Sequence, residues 1–422
     1  MKTKGVRLYG VDDIRYEEFE LPEIKDDEIL VRVMSDSICM STYKTVKQGK
    51  KHKRVPQNVD TNPVIIGHET AGDIVKVGKM HQDKFKPGQR FALQPALNYK
   101  GSLASPGYSY EWFGGATQYT IIPPEVMELG ALMVYEGDAY FEASLAEPMS
   151  CIIGAYKANY HTSKSEYIHK MGVKANGNCM IMGGCGPMGL GAIDYALQLD
   201  NPPKRLVVTD LSEERLERAQ QVLPVDDAKK RGIELIYINP KDYDDQNKAL
   251  MELTDNQGYD DIFVYVPVAS LIEQADSLLA FDGCLNFFAG PTDKTFSAKI
   301  NMYNVHYLNT HVMGWTGGNN DDLLEALDLS AKKRINPSLM VTHVGGLDSV
   351  VDTTMNLPFI SGGKKLIYTH VEMPLTAIED FKELGKTDPL FKKLDDAVSK
   401  SQGCWNKEAE DVLLNHFNVE IK

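Results

Sequence analysis

Residues Cys179-Met180-Ile181-Met182-Gly183-Gly184-Cys185-Gly186-Pro187-Met188-Gly189 pass from four apolar side chains through a cluster of glycines into the apolar stretch Met188–Leu199. A strand, a tight turn and a helix are expected in that order, with Gly184, Gly186 and Gly189 in the spacing G-x-G-x-x-G. Each glycine then has a separate task. The first makes the turn, the second lets a pyrophosphate approach the backbone, and the third lets the helix pack closely on the strand. The free N–H groups at the helix start favour the anion. Pro187 and Met188 are candidate cofactor contacts, read equally well as helix-start packing. The next apolar run, Leu206–Thr209, ends at Asp210, 21 residues after Gly189, where a carboxylate would bind the adenosine ribose hydroxyls. A carboxylate there repels a 2′-phosphate, so NAD(H) is expected ahead of NADP(H). Arg215 stands where it would cover the adenine or partly restore NADPH binding.

Around this motif, Glu234–Ile238, Ile262–Val266, Leu285–Ala289 and His311–Trp315 read as further strands alternating with helical segments such as Glu213–Val222. Alternation of that kind implies a doubly wound parallel sheet of the Rossmann type. Upstream, Val6–Tyr9, Ile29–Met34, Ile74–Val77, Arg90–Leu93 and Gln118–Ile122 are short β-rich runs punctuated by Gly, Pro and Asp, which predicts a compact, mostly antiparallel β domain. Phe141–Ala158 has helical period, with Pro148 expected to kink or interrupt it. Beyond residue 320 the pattern is helix, strand, helix, strand, ending at Lys365–Thr369, and the charged stretch from Leu375 looks helical. The expected organisation is an α/β plus β protein: a β-rich catalytic domain over 1–150, a cofactor domain over 151–319, and 320–422 returning to the first domain with a helical extension.

The chain has 422 residues, 43% hydrophobic and 25% charged, enough for two cores. With 45 basic against 59 acidic side chains the net charge is −14, which argues against nucleic acid as the partner. No run of 18 apolar residues offers a membrane span. The N-terminus enters an alternating strand pattern without the apolar stretch of a secretory signal. Six scattered cysteines without a CxxC pair read as reduced, cytoplasmic usage.

The β-rich half carries Cys39 after one strand, Gly67-His68-Glu69 after the run Val64–Ile66, and Glu147-Pro148 before the cofactor domain. A thiolate, an imidazole and a carboxylate from separate loops suit a catalytic Zn²⁺ with one open position. Taken singly, Cys39 reads as a small buried hydrophobe and Glu147 as a helix-end charge. Together, Gly67-His68-Glu69-x-x-Gly72-x₅-Gly78, the upstream Cys39 and the downstream glycine motif resemble the zinc-dependent medium-chain dehydrogenases, over residues 1 to about 370. Phe141–Cys151 and Pro106–Tyr110 are similar to the polyol and sugar-phosphate branch.

The resemblance implies a GroES-like catalytic domain beside the Rossmann domain. It also implies that Cys39, His68 and Glu147 are zinc ligands, that Glu69 binds zinc or exchanges with substrate or water, and that Ser41 passes the alcohol proton outward. The implied reaction is hydride transfer between NAD(P)H and C2 of a ketose phosphate, L-sorbose 1-phosphate giving D-glucitol 6-phosphate, in a homodimer or homotetramer. Three positions depart from the family pattern. No cysteine lies between Arg90 and Gln118, so one catalytic zinc and no structural zinc is expected; Thr42 replaces the usual acid after Ser41; and Lys44 replaces a relay histidine.

Six cations and a histidine crowd Lys44–Arg54. A phosphate would need such a local positive field in an acidic chain, with Lys44 or Lys47 as the contact, although a solvated loop gives the same pattern. Tyr108, Tyr110, Trp112 and Phe113 read either as a cleft wall or as loop packing. The remaining histidines have no ligand-like spacing and read as structural. Competing readings are another zinc polyol, polyol-phosphate or L-threonine dehydrogenase, a zinc-free quinone or enone reductase, and a non-catalytic nucleotide-binding protein.

Overall fold

Ile29, Val31 and Val33 are buried while Leu30 and Arg32 between them are less so, the alternation that makes Ile29–Ile38 a strand with one face in a core. That strand is the spine of an eight-stranded sheet. It pairs antiparallel with Ala71–Val77, with Tyr119–Ile122 and with Lys364–Tyr368. Outward from these lie Arg90–Leu93 and Leu132–Val134 on one side, and Val341–Gly346 and Thr376–Ala377 on the other. Only Val341–Gly346 against Lys364–Tyr368 is parallel. A three-stranded sheet of Asp13–Glu20, Lys2–Gly10 and Val64–Ile65 completes the β structure of this part. Val6, Leu8, Val46 and Ile66 fill one core, and Phe91, Phe113, Ile122 and Leu132 another.

In this computed structural model the described residues are 1–163, 166–291 and 293–421. They form two compact units, Met1–Pro148 with Asn319–Lys422, and Met149–Gly318. Among them, no helix is long and apolar enough to cross a membrane.

The helix expected across Phe141–Ala158 is two helices, Tyr140–Ser144 and Ala146–Ala158, and the break is at Leu145. Pro148 is not the cause of the break. It is the third residue of the second helix, within the first turn, where backbone N–H groups have no intrahelical acceptor and proline loses nothing.

The second unit is built on a six-stranded, all-parallel sheet in the order Glu234–Ile238, Arg205–Thr209, Asn178–Met182, Tyr259–Val264, Leu279–Phe287, His311–Gly314. The order reverses beside Asn178–Met182, which places a topological switch point at the glycine turn. An additional antiparallel pair, Tyr160–Ser163 with the exposed strand Glu166–Met171, belongs to this unit.

The charged tail of the first unit folds as Phe381–Leu384, Pro389–Ser399 and Lys407–His416. It is anchored rather than loose. Trp405 is 1% exposed and donates to the Tyr368 hydroxyl at 2.7 Å, which donates in turn to Glu410 at 2.8 Å. The same carboxylate accepts the N–H groups of Tyr140 at 2.9 Å and Phe141 at 3.0 Å.

Candidate active site and dinucleotide loop

The spine strand ends at Ile38, and Cys39 follows in extended conformation as the residue that starts helix Met40–Gln48. This strand-to-helix junction aims the thiol and, one residue into the helix, Ser41. Opposite, Gly67 has φ 88°, and a Cβ there would meet the Asp36 carboxylate and the Ala116 nitrogen. Only glycine allows the turn that delivers His68 and Glu69.

Ligand atoms of Cys39, His68 and Glu69 lie within 4.8 Å of one another. His68 is 6% exposed; its Nε2 is 3.3 Å from Ser41 Oγ, and its buried Nδ1 has no hydrogen-bond partner among the described residues. Glu69 is 1% exposed and heavily engaged. Its N–H donates to Asp36 at 3.0 Å, and its carboxylate accepts the Ser37 hydroxyl and the Lys364 ammonium. Burial opposes the charge on Lys364, but Glu69, Cys39 and Glu147 outweigh it and hold the ammonium above its ordinary pKa. Glu147, in the first turn of Ala146–Ala158, is pushed up to about 7 by burial and then by Glu69. Cys39, His68 and Glu69 are thus brought together, Glu147 is half-buried and coupled to them electrostatically without joining that set within 4.8 Å, and the structure adds Lys364, Asp36 and Ser37.

Sequence reasoning missed Lys364. It begins a strand as an unremarkable lysine, and its acidic partner is 295 positions away.

Of the aromatic stretch, only Tyr108 reaches this cluster. Its ring centroid is 5.3 Å from that of His68, and burial raises the phenol's pKa against the opposing influence of the neighbouring Ser41 hydroxyl. Tyr110 donates to Glu125 and packs edge-on against Phe113 in a core, while Trp112 packs with Phe19 and Arg7. Lys47 is exposed and pairs with Asp12 at 2.8 Å, and Lys44 is half-buried in the same helix. Thr42 is buried. Among the other histidines, His161 and His311 bond the buried carboxylates Asp261 and Asp282 of the second unit, at 3.2 and 2.9 Å.

In the second unit the three glycines have different surroundings. Gly184 donates to Thr209 O at 2.9 Å, holding the turn against the neighbouring strand. A Cβ on Gly186 would meet nothing within 4 Å, so this position faces open space at the start of helix Pro187–Gln198. A Cβ on Gly189 would lie 2.1 Å from Gly184 O, so helix and turn touch backbone to backbone. Pro187 and Met188 form the helix start beside that space. Asp210 is 8% exposed at the end of Arg205–Thr209. It accepts Cys185 N–H at 3.2 Å and Ser212 N–H at 3.1 Å, which ties the acidic residue to the glycine turn. Arg215 is exposed in the following helix.

Comparison with known proteins agrees with both halves. Residues 25–130 match the alcohol dehydrogenase GroES-like domain family, and residues 187–332 the zinc-binding dehydrogenase family. The chain is 51% identical over 420 residues to mannitol-1-phosphate 5-dehydrogenase of Aliivibrio fischeri, covering 100% of this chain and 99% of that protein. It is 46% identical over 414 residues to L-sorbose 1-phosphate reductase of Klebsiella pneumoniae, covering 98% of each. In three dimensions it is similar to 2R,3R-butanediol dehydrogenase of Bacillus subtilis, with a TM-score of 0.69 and 22% identity over 87% of this chain and 99% of that one.

Proposed function

Because the chain belongs to the polyol and sugar-phosphate branch of the zinc-dependent medium-chain dehydrogenases, we propose that it interconverts a hexitol phosphate and a 2-ketohexose phosphate, moving hydride between C2 of the ketose and a nicotinamide cofactor. Two substrates follow from the relatives: L-sorbose 1-phosphate, reduced to D-glucitol 6-phosphate, and mannitol 1-phosphate. The observation that carries the proposal is the convergence of Cys39, His68 and Glu69 within 4.8 Å, with a buried imidazole nitrogen that no group among the described residues satisfies.

This donor set fits zinc, since thiolate, imidazole and carboxylate are its usual protein ligands. Cys39, His68 and Glu147 would hold it, with Glu69 as the exchanging carboxylate. Bound there, zinc supplies Lewis-acid polarisation of the substrate carbonyl. The side chains do the rest. Ser41 Oγ, between His68 Nε2 and the Tyr108 phenol, holds the proton that the alcohol gains or loses. Lys364 balances the charge of Glu69, so the second carboxylate does not add an unpaired negative charge to the site. Asp210 receives the ribose hydroxyls and favours NAD(H) over NADP(H). One zinc per chain, a cytoplasmic location and a homo-oligomeric state complete the proposal.

The deciding assay follows NADH and NADPH oxidation with L-sorbose 1-phosphate, and the reverse reaction with mannitol 1-phosphate, before and after chelation. Chelation should cut turnover on the order of a thousandfold, the size of several kcal/mol of lost carbonyl polarisation, and zinc should restore it. Cys39→Ser should reproduce the loss together with the bound metal. Turnover that survives a chelator with full metal removal rejects the zinc chemistry and supports the enone-reductase reading.

A further inference from the structure

The cations of Lys44–Arg54 are not equivalent. Lys47 pairs with Asp12 and Lys50 with Asp60, at 2.8 and 2.9 Å, and Lys51 and Lys53 are exposed. Arg54 is half-buried, and its guanidinium lies 5.4 Å from the Tyr108 ring centroid. Among the described residues, no carboxylate pairs with it. His52 stacks on the same tyrosine at 5.4 Å and 15°. Its Nδ1 accepts the Arg54 N–H at 3.3 Å, which in the neutral ring leaves the proton on Nε2, and no acceptor among the described residues takes it. Burial and the charges of Arg54 and Lys53 lower the His52 pKa, which keeps that neutral form. The Ser109 hydroxyl donates to Arg54 O at 2.7 Å and locks the two loops together.

Tyr108 also packs on His68, so one aromatic ring separates these two donors from the candidate metal ligands. We infer that Arg54 and His52, mounted on Tyr108, form the phosphate subsite of this enzyme and bind the phosphomonoester of a hexitol or ketohexose phosphate. The inference rests on the polyol-phosphate reading above and replaces Lys44 and Lys47 as the phosphate contacts. A guanidinium presents parallel N–H groups that match two phosphate oxygens, and an arginine without a protein carboxylate keeps that fork for a ligand. In a chain of net charge −14, a dianion needs such a local exception.

Two measurements on wild type, Arg54→Ala, Arg54→Lys and His52→Phe test it. The first is the ratio of kcat/KM for glucitol 6-phosphate to kcat/KM for glucitol. Arg54→Ala should lower this ratio at least tenfold, chiefly through KM for the phosphate. Arg54→Lys should recover part of it, and His52→Phe, which keeps the stack, should lose less. The second is calorimetric titration with inorganic phosphate, which needs no turnover. Wild type should bind it, and Arg54→Ala should bind it at least tenfold more weakly at an unchanged melting temperature. An Arg54→Ala enzyme with wild-type phosphate preference overturns the inference while leaving the polyol-phosphate reading intact. A wild type that turns over neither phosphate removes that reading. The titration then decides alone, and equal phosphate binding by wild type and variant overturns the subsite.

Discussion

Gly186 and Gly189 stand three residues apart in one motif and should fail differently. A side chain at Gly189 would collide with the Gly184 carbonyl, whereas one at Gly186 enters empty space. Gly189→Ala should therefore destabilise the fold by about 1–3 kcal/mol, the range for overpacking, and lower the melting temperature by several degrees. Gly186→Val should leave melting within a degree or so, yet weaken NADH binding on the order of tenfold, because the space it fills is where a pyrophosphate would lie. Paired thermal melts and NADH fluorescence titrations separate the two; a Gly186→Val protein with wild-type NADH affinity would mean that the cofactor does not cross this glycine. At this scale residue type and short spacing picked out Cys39, His68 and Glu69, which the fold gathers within 4.8 Å, and the glycines of the turn. The sequence offered no sign of Lys364, whose partner lies 295 positions away, and it marked Arg54 and His52 only as members of the basic run Lys44–Arg54, because which of those side chains is paired is decided in space.

Helix Lys407–His416 buries Ala409, Leu413 and Leu414 and is tied to two further elements by one carboxylate. Glu410 takes two backbone N–H groups from the start of Tyr140–Ser144 and the Tyr368 hydroxyl at the end of Lys364–Tyr368. It thereby braces the helix that precedes Glu147 and the strand that carries Lys364. Burial outweighs those three donors and pushes the carboxyl up to about 7 from 4.5. A raised carboxyl pKa means that the native state binds the proton more tightly than the unfolded chain. Its stabilising contribution is therefore complete below about pH 4.5 and declines as pH rises through 7. Glu410→Gln cannot offer two acceptor oxygens and should cost about 1–3 kcal/mol. The gap in melting temperature between wild type and Glu410→Gln should be widest near pH 5 and narrow towards pH 8. A gap independent of pH would mean that this carboxyl does not titrate across that range. The helical tail could be read from its periodicity, but its attachment could not, because Glu410 looks like any charge on an amphipathic helix. For the same reason Pro148 misled: a proline inside an apolar periodic run looks like a breaker until the helix start is seen to lie just before it.

Across the whole molecule, alternating apolar runs revealed the parallel sheet. Asp13–Glu20 and Glu166–Met171 escaped because their exposed and charged residues lack the pattern of a buried face. The sheet's last strand, His311–Gly314, is open at its edge with Val312 45% exposed, and Met302, Tyr303 and Tyr307 of helix Met302–Tyr307 are each more than 60% exposed. An open edge with apolar side chains is where a second copy would add its strand in the proposed homo-oligomer. Val312→Lys should shift the mass measured by light scattering towards the monomer, and a wild type already monomeric at micromolar concentration would exclude that edge as an interface. The first unit is interrupted in sequence, leaving at 148 and resuming at 319, and this sets an order of events at the ribosome. Strand Ile29–Ile38 emerges early but gains Lys364–Tyr368 only after more than 320 further residues have been joined, since Ile38 pairs with Lys365. Until then the spine of the sheet keeps an unpaired edge, and Glu69 waits without its counter-ion. The nascent chain can finish its glycine loop long before the cluster of Cys39, His68, Glu69 and Lys364, so a messenger cut short would yield a protein with the former and never the latter.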